Sequence, residues 1–425
     1  MEVCGGQTHA IVRWGLQQLL PPGVRLIHGP GCPVCVTPAV TLAAALALAQ
    51  ERGVILASYG DMLRVPAAAA TDPHLPPPTL LTARAAGADV RLLTSPLQAL
   101  ALARAEPSRQ VVVLAVGFET TAPATALLVR HVLAEGITNL SLLNAHVRVG
   151  PAMQAIAADP ASAVQGFLAA GHVAAVLGTS ELVALRRRRQ PVVVSGFEPL
   201  QLLQALEACI TLLERGQTAV ANAYPQVVRA AGNPWARALL QDVFAAGDGV
   251  WRGLGVIPGG VLSLRPAYRA LDARHRFGLP DPLEAIGPRD AAFCGADAPG
   301  ANPGDAPSCA PCSHPASTSG VLACPTRSSS ALGSAGLRAG RSPETTPTPL
   351  PSTSIPSRSI TPTSTRFPAS SPAAAADPCI SGAILRGLAT PPDCPWFGST
   401  CTPLTPLGAP MVSSEGACAA YHRYR

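Results

Sequence analysis

Three cysteines stand close to the start of the chain, Cys4 in "MEVCGGQTHA" and the pair Cys32 and Cys35 in "HGPGCPVCVTP". A Cys-x-x-Cys that follows a strand and precedes an Ala/Leu helix near Pro38 places its thiols toward a helix N-terminus, which favours thiolate. It reads as a redox or metal pair, against the alternative of two small buried residues in a tight turn. Cys4 is followed by Gly5 and Gly6, which let another group approach the backbone closely. At the far end Cys379, Cys394, Cys401 and Cys418 are separated by 14, 6 and 16 residues. Four thiolates suit a 4Fe-4S cluster or a zinc ion, and spacing alone leaves both open.

The elements that must carry these thiols alternate between strands and helices. Apolar, β-branched runs occur at 24–28, 53–58, 90–93, 111–117, 140–146, 173–178 and 191–196, separated by Ala/Leu-rich stretches of helical length. The pattern predicts an α/β fold with parallel sheets, organised as two Rossmann-like halves and a small cysteine-rich tail domain. Two runs end alike, in "VVVLAVGFETTAP" and "PVVVSGFEPLQ". Ligands of open parallel sheets gather at carboxyl ends of strands, so Glu119, Thr120, Thr121 and Glu198 become candidates. Helix capping by each glutamate is the equal alternative. The expected division is a first α/β domain over 1–120, a second over 121–294, a disordered Ser/Thr/Pro-rich insert over 295–377, and a cysteine-bearing segment over 378–425.

Composition excludes several functions. The chain has 425 residues, a net charge of +6 and no lysine, so all 31 basic residues are arginine. A Walker A loop and a Schiff-base amine are thereby absent. Aromatic residues make up 4% of the chain, and its one dense basic run, "RRRR" at 186–189, reads as a solvated helix end rather than a nucleic-acid site. Apolar runs such as "TLAAALALA" fall short of the roughly 20 residues that span a bilayer. The N-terminal stretch lacks the pattern of a secretory signal, so the expected location is cytoplasmic, without membrane or nucleic-acid partners. In that compartment 12 cysteines point to metal or redox roles. Cys209 reads as core, Asp61 and Arg64 as an ion pair, and His28, His146 and His172 as loop hydrogen-bonders. Cys309, Cys312, His314 and Cys324 imitate zinc spacing within the insert.

Taken together, "MEVCGGQTHAI", "HGPGCPVCVTP", "YGDMLRVP", "GFETTAPATA", "GHVAAVLG", "GFEPLQLLQA", "WRGLGVIP", "PPDCPWFGSTCTP" and "MVSSEGACAAY" closely resemble the HypD family, over most of 1–294 and 378–425. Members of that family are scaffolds that help build the iron centre of nickel-iron hydrogenases. The resemblance implies work with a small HypC-like chaperone and a HypE-like donor that supplies cyanide from a thiocyanate. It implies that Cys4 binds the iron of a transient Fe(CN)2CO group, with His9 close by. Cys32 and Cys35 would then be a redox pair exchanging electrons with a 4Fe-4S cluster on Cys379, Cys394, Cys401 and Cys418. The alternatives are a stand-alone Cys-x-x-Cys thiol oxidoreductase and a decayed homologue.

Overall fold

In the computed structural model, which describes residues 1–67, 77–183, 190–286 and 379–424, the apolar runs assemble into two parallel sheets. The first contains β1 (Val54–Ser58), β2 (Val90–Leu92), β3 (Gln110–Gly117) and β4 (Leu140–His146), in the spatial order β2-β1-β3-β4. Its register sets Leu56 beside Val112 and Val113 beside Leu142. β3 lies between two neighbours and is buried from Val111 to Gly117, which is why its sequence is a continuous apolar run rather than an alternating one. The second sheet contains β5 (Phe167–Ala170), β6 (Val192–Ser195) and β7 (Val220–Asn222), in that order. The chain's first residues extend it: Leu168 N–H donates to the Met1 carbonyl at 2.8 Å and Val3 N–H to the Leu168 carbonyl at 3.3 Å.

Helices fill the crossovers. α1 (Gly5–Arg13) and α2 (Ala39–Gln50) precede β1, while α3 (Leu80–Ala85), α4 (Gln98–Ala105) and α5 (Ala122–Ala134) separate the later strands of the first sheet. α6 (Val149–Ala158), α7 (Gly171–Leu177) and α8 (Pro199–Glu214) lead to β5, β6 and β7 in turn. α9 (Pro234–Val243) runs into an antiparallel hairpin, β8 (Phe244–Trp251) and β9 (Gly255–Leu264), and α10 (Ala273–Phe277) follows. The tail adds three short helices, α11 (Ser381–Leu385), α12 (Ala409–Val412) and α13 (Ala417–Tyr424). All described residues belong to one compact unit. Trp251 of the hairpin is fully buried, and its indole N–H donates to the Gly260 carbonyl at 2.9 Å.

Five of the seven expected strands form, and two do not. The run at 173–178 folds as α7, because Val173, Ala174 and Leu177 fall on one helical face, which is buried, and Gly178 ends the helix with φ +83°. The run at 24–28 joins no sheet; His28 makes one isolated bridge, to Glu2. The first sheet continues through β4 to His146, past the division expected at 120. The "RRRR" run, the insert, and Cys309, Cys312, His314 and Cys324 lie outside the described residues. Among the described residues no helix is long and apolar enough to cross a membrane.

The end of β4 carries a fully buried imidazole. His146 donates through Nδ1 to Asn144 Oδ1 at 2.7 Å, and its Nε2 accepts from the Thr125 hydroxyl at 3.4 Å. Burial pushes its pKa down to about 3. Unfolded, the ring takes a proton near 6.5, so stability is lost as pH falls from 6.5 toward 3. Glu119 acts oppositely: burial raises it to about 7, so the fold takes up that proton first and gains stability as pH falls to about 4.5. The unfolding free energy of His146→Asn, measured in urea from pH 6.5 to 4.5, should therefore fall less steeply than that of the wild type, by up to about 1.4 kcal/mol per pH unit. Equal slopes would contradict this role for His146.

Candidate functional site

Cys4 stands in extended backbone immediately before α1. Its backbone is clasped by the loop that leads to the Cys-x-x-Cys pair, with Gly5 N–H donating to the Gly31 carbonyl at 2.9 Å. A Cβ on Gly31 would sit 2.3 Å from the Cys4 nitrogen, so only glycine allows this approach. The Cys4 thiol is 3% exposed and lies 3.7 Å from Nδ1 and 3.9 Å from Nε2 of His172. His172 enters at the start of α7 and stacks on Phe197, with ring centroids 5.2 Å apart and an 18° tilt. Phe197 in turn meets Tyr224 edge-on. Burial pushes the Cys4 thiol up to about 12, and the neighbouring Glu2 carboxylate adds to the shift. The group is therefore a neutral thiol until a cation replaces its proton.

The residue beside Cys4 is thus His172 rather than the expected His9. His9 turns toward the tail, where its ring meets Tyr424 edge-on at 5.7 Å and its Nε2 is buried without a partner. Burial, then Arg423, lowers its pKa. His172 stands two residues past the end of β5, a strand that no expected run covers.

Cys32 and Cys35 form a disulfide with a Cα–Cα separation of 5.3 Å. The expected helix does follow, as α2, yet both cysteines are buried, at 3% and 1% exposure. They pack in an apolar cluster with Leu42, Leu56, Met62 and Leu143, joined by Ala409 and Val412 of α12.

The other side of α12 faces the remaining thiols. Cys379, Cys394, Cys401 and Cys418 line one small cavity, together with Ile384, Phe397, Pro410 and Met411. Among the described residues no three or more His, Cys, Asp or Glu converge on a single-ion site, so these thiols surround a cavity rather than meet at a point. Burial raises Cys418 well above the usual thiol range, and Cys379, Cys401 and Cys394 raise it further. Four thiolates cannot coexist there without positive charge between them. Four cysteines around one cavity are the number that a zinc ion or a 4Fe-4S cluster takes.

Two contacts seat this tail on the body. The Asp61 carboxylate accepts from Ser414 N–H at 3.0 Å and from the Ser413 hydroxyl at 3.2 Å, while Arg64 donates to the Val412 carbonyl at 2.8 Å. The Asp61–Arg64 pair itself is long, at 3.8 Å, and half exposed, so the tail contacts are its main role.

The two Gly-Phe-Glu stretches both occupy strand ends but differ in fate. Glu198 is exposed at the start of α8, where Gln201 Oε1 accepts from the Phe197 and Glu198 N–H groups at 3.1 and 3.2 Å, which is capping. Thr121 precedes α5 and its hydroxyl donates to the Phe118 carbonyl at 3.3 Å, with Thr120 partly buried beside it. Glu119 is 2% exposed and lines a cleft of its own. Cys209 is core, as expected.

The tail also touches Cys4's helix directly, since a Cβ on Gly5 would lie 2.4 Å from the Glu415 Cβ and carbonyl oxygen. Gly5→Ala should displace the tail. Amide exchange in α13 is expected to quicken at least about tenfold, with the two sheets unchanged; unaltered exchange in α13 would contradict this packing.

The family profile described as "HypD: Hydrogenase formation hypA family" matches residues 1–320 and 361–425. The hydrogenase maturation factor HypD of Azotobacter vinelandii is 38% identical over 431 residues, covering 100% of this chain and 88% of that protein. Its counterpart from Rhizobium leguminosarum bv. viciae is 37% identical over 432 residues, covering 100% and 87%. The Escherichia coli K12 protein of the same name is 35% identical over 428 residues, covering 100% and 88%. With thiols at its start, in its loop and in its tail, and relatives matched over its whole length, the chain belongs to the HypD family of hydrogenase maturation factors.

Proposed function

We propose that the chain is a scaffold and redox protein on which the Fe(CN)2CO group of a nickel-iron hydrogenase is put together, with a HypC-like chaperone and a HypE-like cyanide donor. The observation that carries this reading is the position of α12. Its residues Ala409 and Val412 belong to the apolar cluster that buries the Cys32–Cys35 disulfide, and Pro410 and Met411 wall the four-thiol cavity. Cys4 lies beyond the Gly31 contact, on the other side of the same loop.

In this reading the iron is cargo, held by the Cys4 thiolate and a thiolate of the chaperone. Binding expels the Cys4 proton, which burial otherwise retains, and His172 is the nearby group placed to accept it. The Cys32/Cys35 dithiol supplies two electrons and two protons as its S–S bond forms. A donor thiocyanate, R–S–CN, loses its S–C bond and leaves as R–SH, and cyanide passes to the iron with a proton released. A 4Fe-4S cluster on the tail cysteines would supply single-electron storage. Cys379, Cys394, Cys401 and Cys418 fit it in number, softness and apolar surroundings.

The burial of both loop cysteines speaks against a stand-alone oxidoreductase, whose attacking thiol must reach a disulfide from solvent.

Infrared spectra of the chain purified anaerobically with its small chaperone test the proposal. Cyanide and carbonyl stretching bands are expected in the wild type and should vanish in Cys4→Ala. No bands in the wild type, or bands unchanged in Cys4→Ala, would overturn it.

A further inference from the structure

A second cavity is independent of the thiols. It measures about 440 Å3 and opens between the carboxyl ends of β3 and β4, α7 beyond β5, and the β9 turn at Pro258 and Gly259. That volume suits one small molecule. Its wall is largely apolar, with Val149, Met153, Val173, Ala174, Leu177 and Leu182. Three charged groups face it, Glu119, Arg148 and Glu181. An adjoining cavity of about 240 Å3 shares them and adds Arg237 and Arg265.

Glu119 is the group that fold alone does not explain. Its side chain is almost wholly buried, yet its two oxygens share the Val149 N–H at 3.2 and 3.3 Å, both long. The Glu119 backbone N–H is a further donor to it, and among the described residues no side-chain hydrogen bond joins them. A buried carboxylate ordinarily gathers several donors or an opposite charge. Arg148 serves it through its charge alone, because its Nη1 donates to the Gly259 carbonyl at 3.0 Å and its Nη2 faces Glu181 at 3.5 Å. The cavity's one close cation is thus committed, and the carboxylates outnumber it. An apolar pocket with an underserved carboxylate at its base is complementary to a cation on a hydrocarbon stem.

We propose that this cleft binds a small molecule bearing a primary ammonium on a short apolar chain, with the ammonium docked on the Glu119 carboxylate. Glu119 is in that case a binding residue, and its strand-end position places the ammonium where parallel sheets gather ligands. With the carboxyl raised to about 7, binding strengthens as pH rises and the carboxylate forms, while the alkylammonium stays charged.

The probe is n-butylammonium chloride, titrated into the full chain and followed by saturation-transfer NMR, with n-butanol as the neutral counterpart. Saturable binding about tenfold tighter at pH 8 than at pH 6 is expected for the ammonium, with butanol bound more weakly at both. Glu119→Gln should abolish both the ammonium preference and its pH dependence. Gly150→Leu offers a second test that leaves the carboxyl intact. Gly150 lines the cavity and a Cβ there meets nothing within 4 Å, so the new side chain fills the cleft without a backbone clash. Binding lost in Gly150→Leu supports the site. No saturable ammonium binding, butanol binding equally well, or binding unchanged in Gly150→Leu would overturn it, whatever becomes of the thiol chemistry.

Discussion

A single buried carboxylate, Glu2, ties together the three segments that carry the cysteines. It has no solvent exposure and accepts from the Cys4 N–H at 2.8 Å, the Thr8 hydroxyl at 2.5 Å and His28 Nδ1 at 2.7 Å. The far nitrogen of His28 lies 3.1 Å from the Tyr421 hydroxyl on α13. A charge taken out of water is tolerated only when its partners are held in place, so removing any one leaves the rest costly. The backbone of Cys4, the loop before the disulfide and the helix bearing Cys418 are thereby fixed by one network. The hairpin adds a further brace, as Arg252 N–H donates to the Val36 carbonyl just past Cys35 at 2.8 Å.

Burial has the same electrostatic consequence at both ends of this assembly. Cys4, Cys401 and Cys418 are all pushed toward the neutral thiol by loss of hydration. In the proposed scaffold such sites would gain a thiolate by exchanging a proton for a metal, which would couple loading to proton release. The Cys32–Cys35 disulfide is buried as well, which shields its sulfurs from thiols in solvent.

The sheets were legible where burial is complete. "VVVLAVG" is too apolar for any place but the interior of a parallel sheet, and "LSLL" marks its buried neighbour. The hairpin was not legible, because "GDGVWRGLGVIPGG" is punctuated by glycines and its pairing is interrupted between Gly247 and Gly249. β5 and β7 are too short to stand out from helix-like surroundings. In the site, the cysteines announced themselves by type and spacing. His172 did not, since its closeness to Cys4 depends on a contact between residues 168 apart in sequence. Glu2 and Tyr421 were equally hidden, because nothing local shows that a carboxylate will be sealed inside.

The most direct measurement is the content of iron and acid-labile sulfide per chain after anaerobic purification, with an electron paramagnetic resonance spectrum of the reduced protein. The account predicts about four of each and a reducible signal that disappears in Cys418→Ala. Little iron after reconstitution, or a signal that survives in Cys418→Ala, would contradict the claim that the tail cysteines hold the electron store beside the Cys32–Cys35 pair.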